Sequence, residues 1–182
     1  IYFSPADSAS VFYLPQDAET PLLLTNLLAV TSGGDAVYIG MSLEVWRWTS
    51  TESGQFYPVN SVKPRVAIDA ASNVFLAVSP FVETISGSHD VRFIGIGFPG
   101  YRDGPLDSAQ FNDLTGIAVK RDGSAIYVAD NGNHRIRKIE GGLVSTLSGS
   151  GQNGFQDGVA AQVRFGTMSG LALSADQRTL FV

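Results

Sequence analysis

The sequence predicts an all-β fold, a β-propeller built from four-stranded antiparallel blades. The first observation behind this prediction is a repeat. Residues 91–128 align with residues 145–182 without a gap, with ten identities, five of them glycines. The second observation is that short apolar runs alternate with turn-forming residues along the chain. A period of about 40–55 residues made of short strands is typical of propellers and related arrays.

The most regular copy of the blade lies between residues 116 and 149. Its four predicted strands cover residues 116–120, 125–130, 135–139 and 144–147. Asp122-Gly123 is a hairpin signal, and Asn131-Gly132 and Gly141-Gly142 mark the next two turns. Four short strands joined by tight turns make one antiparallel blade.

The same pattern of strand, turn and strand recurs along the chain. The equivalent positions of the second strand are Ile1, Val37, Val74, Ile126 and Leu180, so the later repeats are longer than the earlier ones. Residues 1–182 are therefore predicted to be part of one propeller domain, with three whole blades and parts of two more. We expect a parent propeller of five or six blades, because a closed ring removes exposed sheet edges. The alternative is that two copies complete each other by domain swapping.

Composition bounds the class of protein and of partner. With 182 residues, of which 44% are hydrophobic and 16% charged, the chain is predicted to be globular. Its net charge of −5 disfavours nucleic acid and anionic membranes as main partners. The longest apolar stretch, residues 22–30, is too short to span a bilayer, and the absence of cysteine excludes disulfides and Cys-ligated zinc. Extracellular and intracellular locations both stay open.

One segment carries a family signature. Residues 127–139 read YVADNGNHRIRKI, preceded by GIAV at residues 116–119 and followed by VSTLSG at residues 144–149. This pattern resembles the signature of NHL-repeat β-propellers, and GFQDG at residues 154–158 is similar to the inter-blade segment of one NHL subgroup. The resemblance covers residues 95–182. It implies a platform that binds proteins and sometimes RNA, although a few members are enzymes, such as the zinc-dependent amidating lyase.

The order of strands in a blade predicts which loops share an edge of the propeller. The long segments 98–113 and 152–167 should lie on the same rim as the 131–134 turn, Met41–Ser42 and Pro80, and long loops are often functional. The repeated glycines and the pair Phe111 and Phe165 are predicted to serve the fold, by positive φ angles, close approach and core packing. The candidate partner-binding residues are Tyr101, Arg102, Asp107, Gln156, Arg164, Asn131, Asn133 and His134.

Motifs for catalysis are sparse. Two histidines, His89 and His134, with no cysteine are too few for the three protein ligands of a catalytic zinc. Asp103, Asp107 and Asp113 could bind calcium together with backbone carbonyls, but their spacing is not that of an EF-hand loop. The sequence therefore predicts no catalytic residue, metal ligand or cofactor, with calcium as the alternative.

Lys120, Arg121, Arg135, Arg137 and Lys138 form a basic cluster within one blade. The cluster could meet RNA or an acidic partner, but it lacks interleaved aromatic residues for base stacking. It is therefore predicted to be a solvated strand face.

The favoured function is a non-enzymatic module that binds another protein through its loop rim. One alternative is a hydrolase or lyase with a metal-assisted site at the central channel, built from converging His, Asp or Glu side chains. The second is RNA binding through the basic blade. Further alternatives are self-association and a structural role in a larger assembly in which the propeller merely packs.

Overall fold

A computed structural model describes residues 2–3, 10–13, 22–25, 27–32, 36–40, 44–48, 55–58, 65–71, 73–86 and 90–182. Side-chain packing is described from Arg65 onward within those ranges. The chain divides into two compact units, Ile1–Pro64 and Arg65–Val182. The predicted turn at 33–35, the rim residues Met41–Ser42 and the turn residue His89 lie outside the described residues.

The first unit contains two antiparallel sheets. Its described strands are β1 (Tyr2–Phe3), β2 (Ser10–Tyr13), β3 (Leu22–Thr25), β4 (Leu27–Ser32), β5 (Ala36–Gly40), β6 (Glu44–Trp48) and β7 (Gln55–Pro58). β1, β2 and β3 form a three-stranded sheet in chain order, and β4 to β7 form a four-stranded sheet in chain order. The four-stranded sheet is a complete blade, as the alternation of strand and turn predicts.

The second unit contains a four-stranded sheet, a five-stranded sheet and a two-stranded sheet. Its strands are β8 (Arg65–Ile68), β9 (Val74–Val78), β10 (Phe81–Ile85), β11 (Val91–Ile94), β12 (Gly104–Pro105), β13 (Leu114–Val119), β14 (Ala125–Asp130), β15 (Arg135–Glu140), β16 (Leu143–Ser148), β17 (Ala172–Leu173) and β18 (Leu180–Phe181). β8 to β11 form one antiparallel blade, and β13 to β16 form the next. The hairpin β17–β18 begins a further repeat.

Four of the five predicted second-strand positions can be located in these sheets. Val37, Val74, Ile126 and Leu180 lie in β5, β9, β14 and β18, each the second strand of its repeat. Ile1 lies outside the described residues, although β1 begins directly after it. One difference is that β12 pairs with β16, so the segment before the blade supplies a fifth, outer strand. That short pairing covers part of the exposed edge of β16.

The core of the second unit lies between its two large sheets. Phe75, Ala77 and Val82 of the earlier blade belong to one buried cluster with Ile117 and Val128 of the later blade, among others. Burying each large apolar side chain stabilises the fold by about 1.5–3 kcal/mol.

The two repeated phenylalanines take different positions relative to this core. Phe111, which follows the first long loop, is fully buried within the cluster. Phe165 is half-buried and packs against a smaller cluster that contains Ala129, Ile136 and Met168. Core packing by both aromatic rings is thus confirmed, more completely for Phe111.

Candidate functional site

The two long loops of the second unit share one backbone conformation. We call residues 98–113, 152–167 and the 131–134 turn the rim. Backbone hydrogen bonds within residues 95–110, which include most of the first loop and the residues before it, recur at the equivalent positions 149–164 around the second loop. The matched N–H to C=O pairs are Gly95–Leu106 and Gly149–Ala160, Ile96–Ala109 and Ser150–Val163, Ser108–Pro105 and Gln162–Val159, and Gln110–Arg102 and Arg164–Gln156. The repeated sequence therefore encodes a repeated, hydrogen-bonded loop.

Glycine makes this conformation accessible. The φ angles are +107° at Gly95 and +109° at Gly149, a region that residues with a Cβ atom rarely adopt. Gly100 is used differently, because a Cβ there would lie only 3.0 Å from the side chain of Gln110. Both predicted roles of the repeated glycines, positive φ and close approach, are present.

The turn 131–134 lies against the first loop, as predicted from strand order. Gly132 N–H donates to the carbonyl of Asn112 at 2.9 Å, and Asn131 N–H donates to that of Asp113 at 3.1 Å. The turn between β8 and β9 contacts the turn between β13 and β14, since Ala70 N–H donates to the carbonyl of Arg121 at 2.7 Å. The rim and these hairpin turns are therefore opposite ends of the blades.

Arg137 on β15 joins the first loop to its blade. The side chain is fully buried, and each of the five N–H groups of a guanidinium has an acceptor. Nη1 donates to Asp130 Oδ2 at 2.7 Å, and Nη2 donates to Asp103 Oδ1 at 2.6 Å. The carbonyls of Arg102 and Gln110 accept two further bonds. Arg137 thus binds the first loop through two backbone carbonyls as well as through the carboxylate of Asp103.

The two carboxylates that face Arg137 have their own donors. Asp130 is fully buried and accepts hydrogen bonds from Asn112 N–H at 2.8 Å and from Asn133 Nδ2 at 2.9 Å. Burial raises the pKa of Asp130, against the opposing effect of its hydrogen bonds to Asn133, Asn112 and Arg137. Asp103 Oδ2 accepts from Thr146 N–H at 3.0 Å. The Arg137–Asp130 pair is buried on both sides, and a buried ion pair of this kind depends on full hydrogen bonding of both partners.

The prediction of a solvated basic strand face is wrong for Arg137. Its guanidinium is buried because the first loop, which precedes the whole blade in the chain, folds over β15. Lys138 instead forms an ion pair with Glu140 at 2.6 Å, and Arg121 lies in the hairpin turn at the other end of the blade. The basic residues therefore do not form one surface.

Arg135 lies two residues before Arg137 and has a different environment. Its guanidinium carbon is 3.9 Å from the centre of the Tyr101 ring, a cation–π contact. Nη1 donates to the carbonyl of Asn133 at 3.0 Å, and Nη2 donates to that of Ser150 at 3.1 Å. A Cβ at Gly151 would overlap the guanidinium, so glycine is required beside it. The sequence predicted Arg135 only as a member of the basic cluster; its alternation with Arg137 along β15 was the available signal.

The candidate residues of the rim fall into two groups. Arg102, Asp107, Gln156 and Arg164 have exposed side chains, and Tyr101 is 46% exposed. The second group lies in the turn and takes part in internal contacts. Asn131 donates from Nδ2 to Asp113 at 2.7 Å and accepts from Met168 N–H at 2.9 Å.

The other two turn residues are also held within the protein. Asn133 donates from Nδ2 to the carbonyl of Gly100 at 2.8 Å. His134 has a φ of +51°, and its buried Nδ1 has no hydrogen-bond partner among the described residues. The exposed group is the one whose side chains can contact another molecule.

Calcium binding was the alternative predicted for the same surface. Asp103 and Asp113, two of the three aspartates considered for calcium, are bonded to Arg137 and Asn131 respectively. Within the described ranges no group of three or more His, Asp or Glu side chains is placed to hold a metal ion. The described part of the chain also has no helix of the length and apolarity needed to cross a membrane.

One buried carboxyl group was not predicted from the sequence. Glu83 on β10 pairs with Leu76, and Arg137 on β15 pairs with Val128, at equivalent registers of successive blades. Glu83 is 6% exposed, and burial raises its pKa. The position that holds a fully bonded arginine in one blade therefore holds a buried acid in the preceding one.

Comparison with known proteins agrees with the sequence signature. The family model described as "NHL repeat" matches residues 111–139, from Phe111 through most of β15. NHL repeat-containing protein 2 of Bos taurus is 44% identical over 63 residues, which are 34% of this chain and 8% of that protein. The chain thus covers a small part of the curated relatives that it matches.

Solved structures show the fold. An auxiliary nutrient binding protein from Bacteroides thetaiotaomicron superposes with a TM-score of 0.66 at 17% identity, over 82% of this chain and 42% of that one. A catalytically inactive virginiamycin B lyase from Staphylococcus aureus, solved with quinupristin, superposes with a TM-score of 0.59 at 14% identity, over 92% of this chain and 54% of that one. Together with the antiparallel four-stranded sheets, these similarities establish the β-propeller class and no particular activity.

Proposed function

This chain contains an NHL repeat and has a β-propeller fold, and from that premise we propose that it is a non-enzymatic module that binds another protein through its rim. The observation that carries the proposal is the contrast between the two rim loops. Their backbones are bonded alike, yet the exposed Arg102 occupies the position of Gln156, and the exposed Asp107 occupies the position of Ala161. A shared backbone with different exposed side chains is what a fold needs if it is to present a specific surface.

The rigidity of the rim supports binding. The backbone bonds within each loop and the contacts of Arg137 order these segments before a partner arrives. A preordered surface loses less conformational entropy on association, so more of the contact energy contributes to affinity.

The test is cross-linking capture from a native extract with the full chain as bait. The rim variant carries Arg102→Glu and Arg164→Glu, both at exposed positions. The matched control carries Arg92→Glu and Arg178→Glu, which are also exposed and change the net charge equally, but lie on β11 and in the β17–β18 turn.

We expect the same protein to be captured by the wild type and by the control, and to be lost with the rim variant. Equal capture by the rim variant and the control would place binding on another surface. Purified partner and bait should then form a saturable complex whose affinity falls at least tenfold in the rim variant, a change of about 1.4 kcal/mol.

A further inference from the structure

A cavity of about 440 Å³ opens beside the second rim loop. Tyr101 and Arg135 line it together with the end of β16, and Ala160 and Ala161 line it from the loop. Arg135 is the only charged side chain among the described residues that line it. Its volume lies within the range of small ligand pockets, about 300–1,000 Å³.

Arg135 has no carboxylate partner among the described residues. On the same strand, Arg137 is paired with Asp103 and Asp130, and Lys138 is paired with Glu140. Arg135 instead donates to backbone carbonyls through two of its five N–H groups. A guanidinium with unused N–H groups matches the geometry of a carboxylate, which accepts two parallel hydrogen bonds.

The guanidinium is held in place before any ligand binds. The Tyr101 ring stacks on it, and Gly151 leaves the room that it occupies. Tyr101 is itself fixed, because its hydroxyl lies 2.9 Å from Thr146 Oγ1, which donates to Asp103 Oδ1 at 3.3 Å. The ion pair of Asp103 with the buried Arg137 therefore supports the position of Tyr101 and, through it, of Arg135.

We propose that this cavity receives the carboxylate of an Asp or Glu side chain from a segment of the protein partner. The inference rests on the proposed function and specifies the chemistry that the rim recognises. A single ordered cation suits one carboxylate. A nucleic acid is a polyanion and needs several cations for binding. The neighbouring loop, residues 98–113, contains one arginine but three aspartates, so it does not supply them.

The test uses the full chain labelled with ¹⁵N-arginine and follows the Nε–H signals by NMR. The probe is the peptide acetyl-Gly-Glu-Gly-amide, compared with its Gln counterpart and with inorganic phosphate. We expect the Glu peptide to shift the Arg135 signal saturably and to bind at least tenfold more tightly than the Gln peptide. Equal binding of the two peptides, or a response to phosphate alone, would overturn the assignment of a carboxylate.

Three variants locate the effect. Arg135→Lys should weaken binding of the Glu peptide at least tenfold, whereas Arg178→Lys, at an exposed position outside the cavity, should leave it unchanged. Ala161→Glu supplies a carboxylate at the exposed edge of the cavity and should compete with the peptide without disturbing the core. Unchanged peptide affinity in both Arg135→Lys and Ala161→Glu would show that the peptide binds elsewhere.

The two proposals fail in different ways. If the rim variant loses its partner but the Glu peptide does not shift Arg135, the carboxylate inference is wrong and the protein-binding function stands. If the peptide binds at Arg135 but capture does not depend on the rim, the proposed function is wrong. The inference that the carboxylate comes from a protein partner is then wrong as well.

Discussion

Arg137 and Asp103 are 34 residues apart in the sequence and form an ion pair in which Nη2 lies 2.6 Å from Oδ1. The arginine belongs to the third strand of a blade, and the aspartate belongs to the loop that precedes that blade. The ion pair therefore joins the loop 98–113 of the candidate binding surface to β15 of the blade. Loss of this contact should affect both the stability of the blade and the order of the rim.

Replacing Arg137 by alanine should lower the free energy of unfolding by about 3–5 kcal/mol, because Asp130 would be left as a buried carboxylate without its cation. Denaturant unfolding of the full chain measures the effect. The control is Lys138→Ala on the same strand, whose pair with Glu140 is partly exposed and should contribute no more than about 1 kcal/mol. Similar losses in the two variants would contradict a special role for Arg137.

Gly151→Ala should displace the Arg135 guanidinium, whereas Gly97→Ala at the equivalent position should not. Both glycines have positive φ angles, +83° at Gly151 and +77° at Gly97, so each variant should lose about 1–2 kcal/mol of stability from backbone strain. The Cβ of Gly151→Ala would also overlap Arg135, while that of Gly97→Ala would meet no atom within 4 Å. The measurement is the Arg135 Nε–H signal, which should move only in Gly151→Ala.

Glu83→Gln should leave the protein as stable as the wild type or more stable at neutral pH. Burial raises the pKa of Glu83, so the folded state binds its proton more tightly than the unfolded chain does. The wild type therefore loses stability as the pH rises through the pKa of the folded state, and the glutamine variant lacks this loss. The advantage of Glu83→Gln should disappear as the pH falls below about 4.3, the ordinary pKa of glutamate.

Urea unfolding of both proteins across this pH range measures the difference. Glu140→Gln, at a partly exposed position, is the control and should differ from the wild type by less than about 1 kcal/mol. A difference between Glu83→Gln and the wild type that grows as the pH falls would have the wrong sign for a raised pKa.

Phe111→Ala should destabilise the second unit by about 3–5 kcal/mol, because a fully buried ring is removed from the core between two blades. Phe155→Ala is the comparison, since that ring is 90% exposed and its loss should change stability by less than about 0.5 kcal/mol. Thermal unfolding distinguishes the two. An equal shift of both melting temperatures would mean that Phe111 is not part of a specifically packed core.

Strand positions could be read from the sequence because they depend on local patterns. Short apolar runs between Gly, Asn and Asp turns predicted the strands around Val37, Val74 and Ile126, and each lies in a strand. The equivalent glycines Gly95 and Gly149 likewise predicted a repeated loop, and their φ angles of +107° and +109° are nearly the same. Backbone conformation of this kind is set by residues close together in the chain.

The environments of Arg135 and Arg137 could not be read in this way. Alternation along β15 predicts that both side chains face the same side of the sheet, but no local pattern indicates what covers that side. The loop at residues 98–113 supplies Tyr101 beside Arg135, and Asp103 with two backbone carbonyls around Arg137. These contacts join segments that are distant in the sequence, so burial and pairing follow from how the loop packs on the blade. Local sequence thus specifies the strands and the repeated loop, whereas long-range packing makes one arginine a buried anchor and leaves the other without a carboxylate partner in the described structure.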